Sequence, residues 1–231
     1  MTEDPGREEF RAACLAELPR WYSPWAHLGF PSAVGLGAAA VALSKVHDVR
    51  PWELGFAALT WVIANAFEWR VHKDILHRRR WPLGMLFEKH TPMHHRLFET
   101  DTMAIRSFRE AALVLVPFYG VLGILAAVLP ASAALWVGGL HNAAALYFAV
   151  SVLYFVSYEW LHLSYHLPET HPVGRLGLVR FLRRHHALHH SPERMQRWNF
   201  NVTIPLWDLV RGTYWRGESV AAVAPRAKTA V

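Results

Sequence analysis

The chain has 231 residues, 53% of them hydrophobic, with eleven Trp and a formal net charge of +6; it is too apolar and too aromatic for an ordinary soluble domain and reads as a membrane protein. Its basic residues fall between apolar runs, as membrane-surface anchors do, which argues against nucleic acid as a partner. Cys14 is the only cysteine, so an internal disulfide and a thiolate cage for zinc or an iron–sulfur cluster are excluded, and any metal must be held by nitrogen and oxygen.

The N-terminus, which begins Met1, Thr2, Glu3, Asp4, Pro5, carries both signs of charge and lacks the basic-then-apolar order of a secretory signal. Between Glu8 and Leu18 the apolar residues Phe10, Cys14, Leu15 and Leu18 recur at helical spacing, and Trp21, Tyr22 and Trp25 follow. This predicts a short helix lying on a membrane surface over residues 1–25, with the aromatic rings at headgroup level.

Ala26 to Ser44 contains no Asp, Glu, Lys or Arg and is about long enough to cross a hydrocarbon core. Trp52 to Phe67 returns as a second span, Ala111 to Leu129 is a third stopped by Pro130, and a fourth apolar run extends from Ala131 to Tyr158. That run exceeds one membrane thickness, so it either tilts or carries its end into the aqueous phase. The expected architecture is all-α, a single domain with a four-span stem over 26–161 that includes a cytoplasmic segment at 70–110. A histidine-rich helical cap over 162–216 and a flexible tail over 217–231 complete it. Two helical hairpins put both termini, the segment from Arg70 to Arg109 and everything after Tyr158 on one side. Only Lys45 and Arg50 of the 24 Lys and Arg residues fall on the other, which makes the populated side cytoplasmic. The expected location is the inner membrane of a bacterium or the endoplasmic reticulum of a eukaryote.

Eleven of the fifteen histidines fall in four groups on that side. His72 and His77 follow the second span; His90, His94 and His95 precede the third; His162 and His166 follow the fourth; His185, His186, His189 and His190 come next. His162 and His166, four apart, stand one above the other on a helix, and His186, His189 and His190 share one helical face. His72 and His77 are five apart, which predicts that the helix ends or distorts between them. Thr91 and Pro92 read as a helix N-cap and first helical position, leaving His90 just outside. Read alone, His185 to His190 fits a basic surface helix as well as a metal-binding face. Together, ten imidazoles (His72, His77, His90, His94, His95, His162, His166, His186, His189 and His190) exceed what one ion can use and fit two. Iron suits imidazole and changes oxidation state, while zinc can occupy the same nitrogens in purified protein. Glu68 and Glu159 lie four and three residues before His72 and His162, placed to accept their free N–H groups.

Glu68-Trp-Arg-Val-His72-x4-His77, His90-x3-His94-His95, His162-x3-His166 and His186-x2-His189-His190 resemble the eight-histidine motif set of the sterol desaturase and fatty acid hydroxylase superfamily. Trp198-Asn199-Phe200 with Trp207-Asp208-x3-Gly212-Thr213 is similar to its C-terminal signature. One departure is the spacing from His90 to His94, three residues where the family usually has two. The resemblance, from Glu68 to Thr213, implies a membrane-embedded non-haem di-iron oxygenase that uses O2 and two electrons to hydroxylate or desaturate a lipid drawn from the bilayer. It implies no catalytic residue beyond the metal ligands, with His185, Asn199 and Asp208 in supporting positions beside Glu68 and Glu159. With no electron-carrier domain fused, the electrons would come from a separate donor of cytochrome b5, ferredoxin or reductase type. Arg106 and Arg109, just before the third span, are candidates to hold an anionic headgroup or simple membrane anchors. The expected function is a hydroxylase of an acyl chain, sterol or related lipid. Its rivals are a desaturase or carotenoid ring hydroxylase of the same chemistry and, from another class, a haem-binding membrane electron-transfer protein.

Overall fold

In the computed structural model, which describes residues 4–217, three of the stem helices start where the sequence supplies a cap, a proline or a glycine turn. Ser23 caps α2 (Pro24–Leu43), its hydroxyl accepting the Ala26 N–H. Proline opens α3 (Pro51–Val71), and the Glu53 carboxylate reaches back to the Arg50 N–H. A turn through Gly138 and Gly139, the latter at φ +79°, separates α6 (Gly120–Val137) from α7 (His141–Tyr165); only glycine adopts that conformation without strain.

The longest helix, α7, lies at the centre and packs against α2, α3 and α6. At Gly35 a Cβ would lie 2.6 Å from Val156 Cγ2. The missing side chain is therefore what lets α2 approach α7 so closely, as small residues do between helices in lipid. At the end remote from the clustered histidines, Asn142 accepts the His47 N–H and donates to the His47 carbonyl and Glu53, tying the α2–α3 turn to the start of α7.

Among the described residues the fold is all-α, without strands. Three helices, α2, α6 and α7, are long and apolar enough to cross a membrane. The fourth, α3, has the length, but Glu53, Thr60, Asn65 and Glu68 lower its mean hydropathy. Those four are buried, while Leu54, Leu59, Ile63 and Phe67 face outward.

Two regions differ from the sequence reading, and the fourth span begins at His141, not Ala131. The third span does not begin at Ala111 or stop at Pro130. Phe108–Leu113 is a 3-10 turn, and α6 starts at Gly120 and runs through Pro130 to Val137. The residues ahead of α6 are held instead by polar groups of the site: Leu113 O takes a bond from His94, Val116 N–H donates to Glu159, and Val116 O bonds to His27. Proline inside an apolar helix forfeits one backbone bond, a loss that packed membrane helices tolerate.

The other difference is at the N-terminus. In α1 (Pro5–Ala16), Phe10, Cys14 and Leu15 pack on a buried cluster that includes Leu97, Phe98, Ile105 and Leu163, so its apolar face is covered by protein. Buried Arg11 anchors it, bonding Glu110 at 2.8 Å and the Leu97 carbonyl at 2.9 Å. The tail expected to be flexible lies, from residue 218 onward, outside the described residues.

Candidate metal centre

Two π turns shape the site. After α3 the helix widens over His72–Leu76, so that the His77 N–H bonds the His72 carbonyl. A second π turn, Lys89–His94, lies between α4 (Gly84–Glu88) and α5 (His95–Leu97) and closes from the His95 N–H to the His90 carbonyl. An i→i+5 turn brings residues five apart onto one face, where an ordinary helix would separate them. His90 is thus inside a helix, not ahead of it, and Pro92 lies within the π turn. The extra residue between His90 and His94 is the one the wider turn takes up.

All ten predicted histidines converge. His72, His77, His90, His95 and His189 form one buried group, and His94, His162, His166, His186 and His190 a second; within each, the facing nitrogens lie within 4.8 Å of one another. The groups abut, with the His95 and His190 rings stacked at 4.2 Å between centroids. In α8 (Gly177–His189) and its C-cap, His186 and His190 serve the second group and His189 the first.

Hydrogen bonds at the outer edges of the rings fix which nitrogens face inward. Nδ1 of His94, His166 and His189 bonds the carbonyls of Leu113 (2.9 Å), Met103 (2.7 Å) and Trp198 (2.7 Å). Nδ1 of His72 and His190 bonds those of Phe200 and Phe98. A carbonyl only accepts, which assigns the proton of each ring to Nδ1 and leaves Nε2 a bare lone pair. His77 Nδ1 meets Thr91 Oγ1, whose own proton goes to Leu76 O, so this ring presents Nε2 in the same way. Nε2 of His77 and His189 then face each other at 2.9 Å, and Nε2 of His94, His162 and His166 are buried with no partner. Lone pairs aimed at one another in a dry interior are costly unless a cation lies between them. Each group of five could hold a metal ion.

Burial lowers the pKa of every cluster histidine outside the spans, and repulsion from neighbouring imidazoles adds to this for most of them. His94 comes down to about 4 and His189 to about 3. The rings are therefore neutral at pH 7, the form that binds metal. In the unfolded chain the same rings titrate near 6.5, so below that pH the unfolded state takes up more protons. Stability and bound metal should both fall as the pH drops from about 6.5 towards 4. Melting temperature and metal content of detergent-solubilised protein between pH 7.5 and 5 measure this; flat profiles would contradict neutral, buried ligands.

The carboxylates predicted to support the histidines act through other groups. Glu68 does not bond His72. Its carboxylate accepts from the Thr203 N–H (3.0 Å) and hydroxyl, the Val202 N–H and the Tyr154 hydroxyl. Glu159 accepts from Val116, not His162, and its other oxygen has no partner. A carboxylate one turn away in sequence loses to backbone donors that packing delivers directly. Asp208, on α9 (Leu206–Arg211), accepts from the Phe200 and Asn201 N–H groups, the Thr213 hydroxyl and His185 Nε2. Asn199, at φ +59°, bonds the His185 and Trp215 carbonyls and accepts the Trp215 N–H. Asn199 and Asp208 thereby set the backbone of 198–203, which supplies the Trp198 and Phe200 carbonyls to the rings. His185 lies outside both clusters, stacked on Tyr214.

Sequence reasoning missed Asn65, Asn201, Thr203 and Tyr154. Asn65 donates to Tyr154, Thr203 and the Ile204 carbonyl and accepts the Trp207 N–H, while Asn201 bonds Asn65 O and exchanges bonds with Asp208. The available signal was an amide within an apolar helix, three residues before Glu68, which demands partners. Arg106 and Arg109 are engaged by the protein: Arg106 pairs with Glu8, and Arg109 bonds the Tyr22 and Pro19 carbonyls.

A largely apolar cavity of about 540 Å³ runs from Trp21, Phe30 and Phe118 to His90, His94 and His162, touching both clusters. A family model described as fatty acid hydroxylase matches residues 57–213, a range that takes in all ten histidines with Asn65, Glu68 and Asp208. No curated protein and no solved structure matches the chain.

Proposed function

The chain belongs to the fatty acid hydroxylase family, within the sterol desaturase and fatty acid hydroxylase superfamily, and on that premise we propose that it is an O2-dependent lipid hydroxylase whose ten histidines hold two irons. The observation that carries this reading is the apolar cavity ending on both histidine clusters, a volume within the range of small-molecule sites. When bound, a pair of redox-active ions supplies the oxidising power that no side chain has.

The protein's own contribution is placement and exclusion. Leu115, Val116 and Phe118 line a wall that an acyl chain, sterol or related lipid can follow inward, and Tyr158 lines the inner end beside His162. The buried imidazoles keep bulk water from the centre. Their Nδ1 bonds to fixed carbonyls hold the ring planes and raise the basicity of Nε2.

In this reading α3 is a fourth span, since its polar side chains point inward and its outer face is apolar. Both termini and the histidine clusters then lie on the cytoplasmic side, by the distribution of Lys and Arg. A separate protein supplies electrons.

The test is expression in a lipid-producing host under 18O2 with mass spectrometry of the extracted lipids. Label at carbon is the expected result; new unsaturation without label would make the enzyme a desaturase. Ala112→Phe, which fills the cavity beside Leu113, should reduce oxidised lipid at least about tenfold while metal content stays unchanged. Neither label nor unsaturation in the metal-loaded wild type would overturn the reading.

A further inference from the structure

A second cleft, of about 810 Å³, opens on the cap and has the opposite character. Arg180, Arg183 and Arg184 of α8 and Arg175 line it, against Asp101 and Glu169. Arg183 is engaged by the Leu167 carbonyl and Glu169. Arg175, Arg180 and Arg184 are exposed and, among the described residues, have no ion-pair partner.

The lining also includes Met103 and Ala187. Met103 is buried, and its carbonyl accepts the His166 Nδ1–H at 2.7 Å. Ala187 directly follows His186. One backbone hydrogen bond therefore separates the cleft wall from the second histidine cluster. The apolar cavity shares no lining residue with this cleft, so the arginines are not the headgroup end of the substrate cavity.

Resting on the hydroxylase reading, the geometry points to this cleft as the docking site of a small acidic electron-transfer protein. The reaction R–H + O2 + 2e− + 2H+ → R–OH + H2O needs two electrons that neither lipid nor O2 provides, and the donor is oxidised as it delivers them. Unpaired guanidinium groups around a concavity attract and orient an acidic convex edge. The approach leads to His166 from the side away from the substrate. Substrate and reductant thus reach the centre by separate routes.

The test uses full-length protein in nanodiscs of zwitterionic lipid, with the soluble haem domain of cytochrome b5 and a plant-type ferredoxin as acidic probes. Binding to metal-free protein, read by fluorescence anisotropy, should weaken with added salt and fall about tenfold or more in Arg180→Glu/Arg184→Glu. Arg80→Glu, a charge reversal outside the cleft, should leave it unchanged. Arg180→Gln/Arg184→Gln, gentler on folding, should give an intermediate loss with an unchanged melting temperature. In iron-loaded protein, dithionite should reduce wild type and variants equally while reduction by the carrier slows only in the variants. The inference fails if neither carrier binds wild type, or if the variants bind both carriers as wild type does. It also fails if the arginine changes abolish binding to anionic vesicles alone, which would make the cleft a lipid-headgroup site. Failure of dithionite to support lipid oxidation would count against the hydroxylase reading and leave the docking result standing.

Discussion

Replacing His189 with alanine should lower bound metal from two ions to one per chain, and replacing the adjacent His190 should do the same by emptying the other position. The two residues are neighbours in sequence, yet His189 faces His77 at 2.9 Å while His190 faces His186 at 2.9 Å. Each variant removes one imidazole from a group of five and leaves the other group complete. Lipid oxidation should disappear in both, by more than the roughly 10–100-fold loss usual for removal of an outer partner of a ligand. Elemental analysis of the purified variants, with a double variant binding neither ion, is the measurement. Full metal content in both single variants would show that these rings do not hold the ions.

Asp208→Ala should be the most damaging change outside the clusters. The side chain is fully buried and gathers the Phe200 N–H at 3.0 Å, the Asn201 N–H at 2.8 Å, the Thr213 hydroxyl at 2.6 Å and His185 at 3.1 Å. Burial by itself would raise its pKa, but bonds from His185, Thr213 and Asn201 outweigh that and hold it below the ordinary carboxylate value. Alanine strands two buried backbone donors at about 1–3 kcal/mol each. With the lost charge-assisted bonds the cost is about 3–6 kcal/mol, or roughly 6–24 °C in melting temperature. Metal should leave the first cluster preferentially, because the freed Phe200 carbonyl no longer holds His72. Equal loss from both clusters would contradict this route.

The contrast between these variants tracks what could be read from the chain. The four histidine groups fall on one side of the expected stem, which is enough to gather all ten rings, and helical spacing alone puts His162 with His166 and His186 with His190 on shared faces. The fifth-residue spacing of His72 and His77 signalled a distortion, which the π turn supplies. The same device at His90 is not legible in sequence, since Thr91-Pro92 also makes a good helix start and local sequence cannot weigh that against a wider turn. Glu68 stands out in the sequence, but its partner does not. Its donors, Val202 and Thr203, lie more than 130 residues away, and no local period relates them.

Membrane character, the helical class, the ten rings and their gathering at one end of the stem are legible in the order of residues. These follow from hydrophobic length and helical periodicity, both local properties. How the rings divide into two groups, which carbonyls fix their tautomers and where the segment before α6 goes are set by three-dimensional packing. Each of these depends on which backbone atoms packing brings within about 3 Å of a buried polar group. A buried donor must find an acceptor wherever the fold places one.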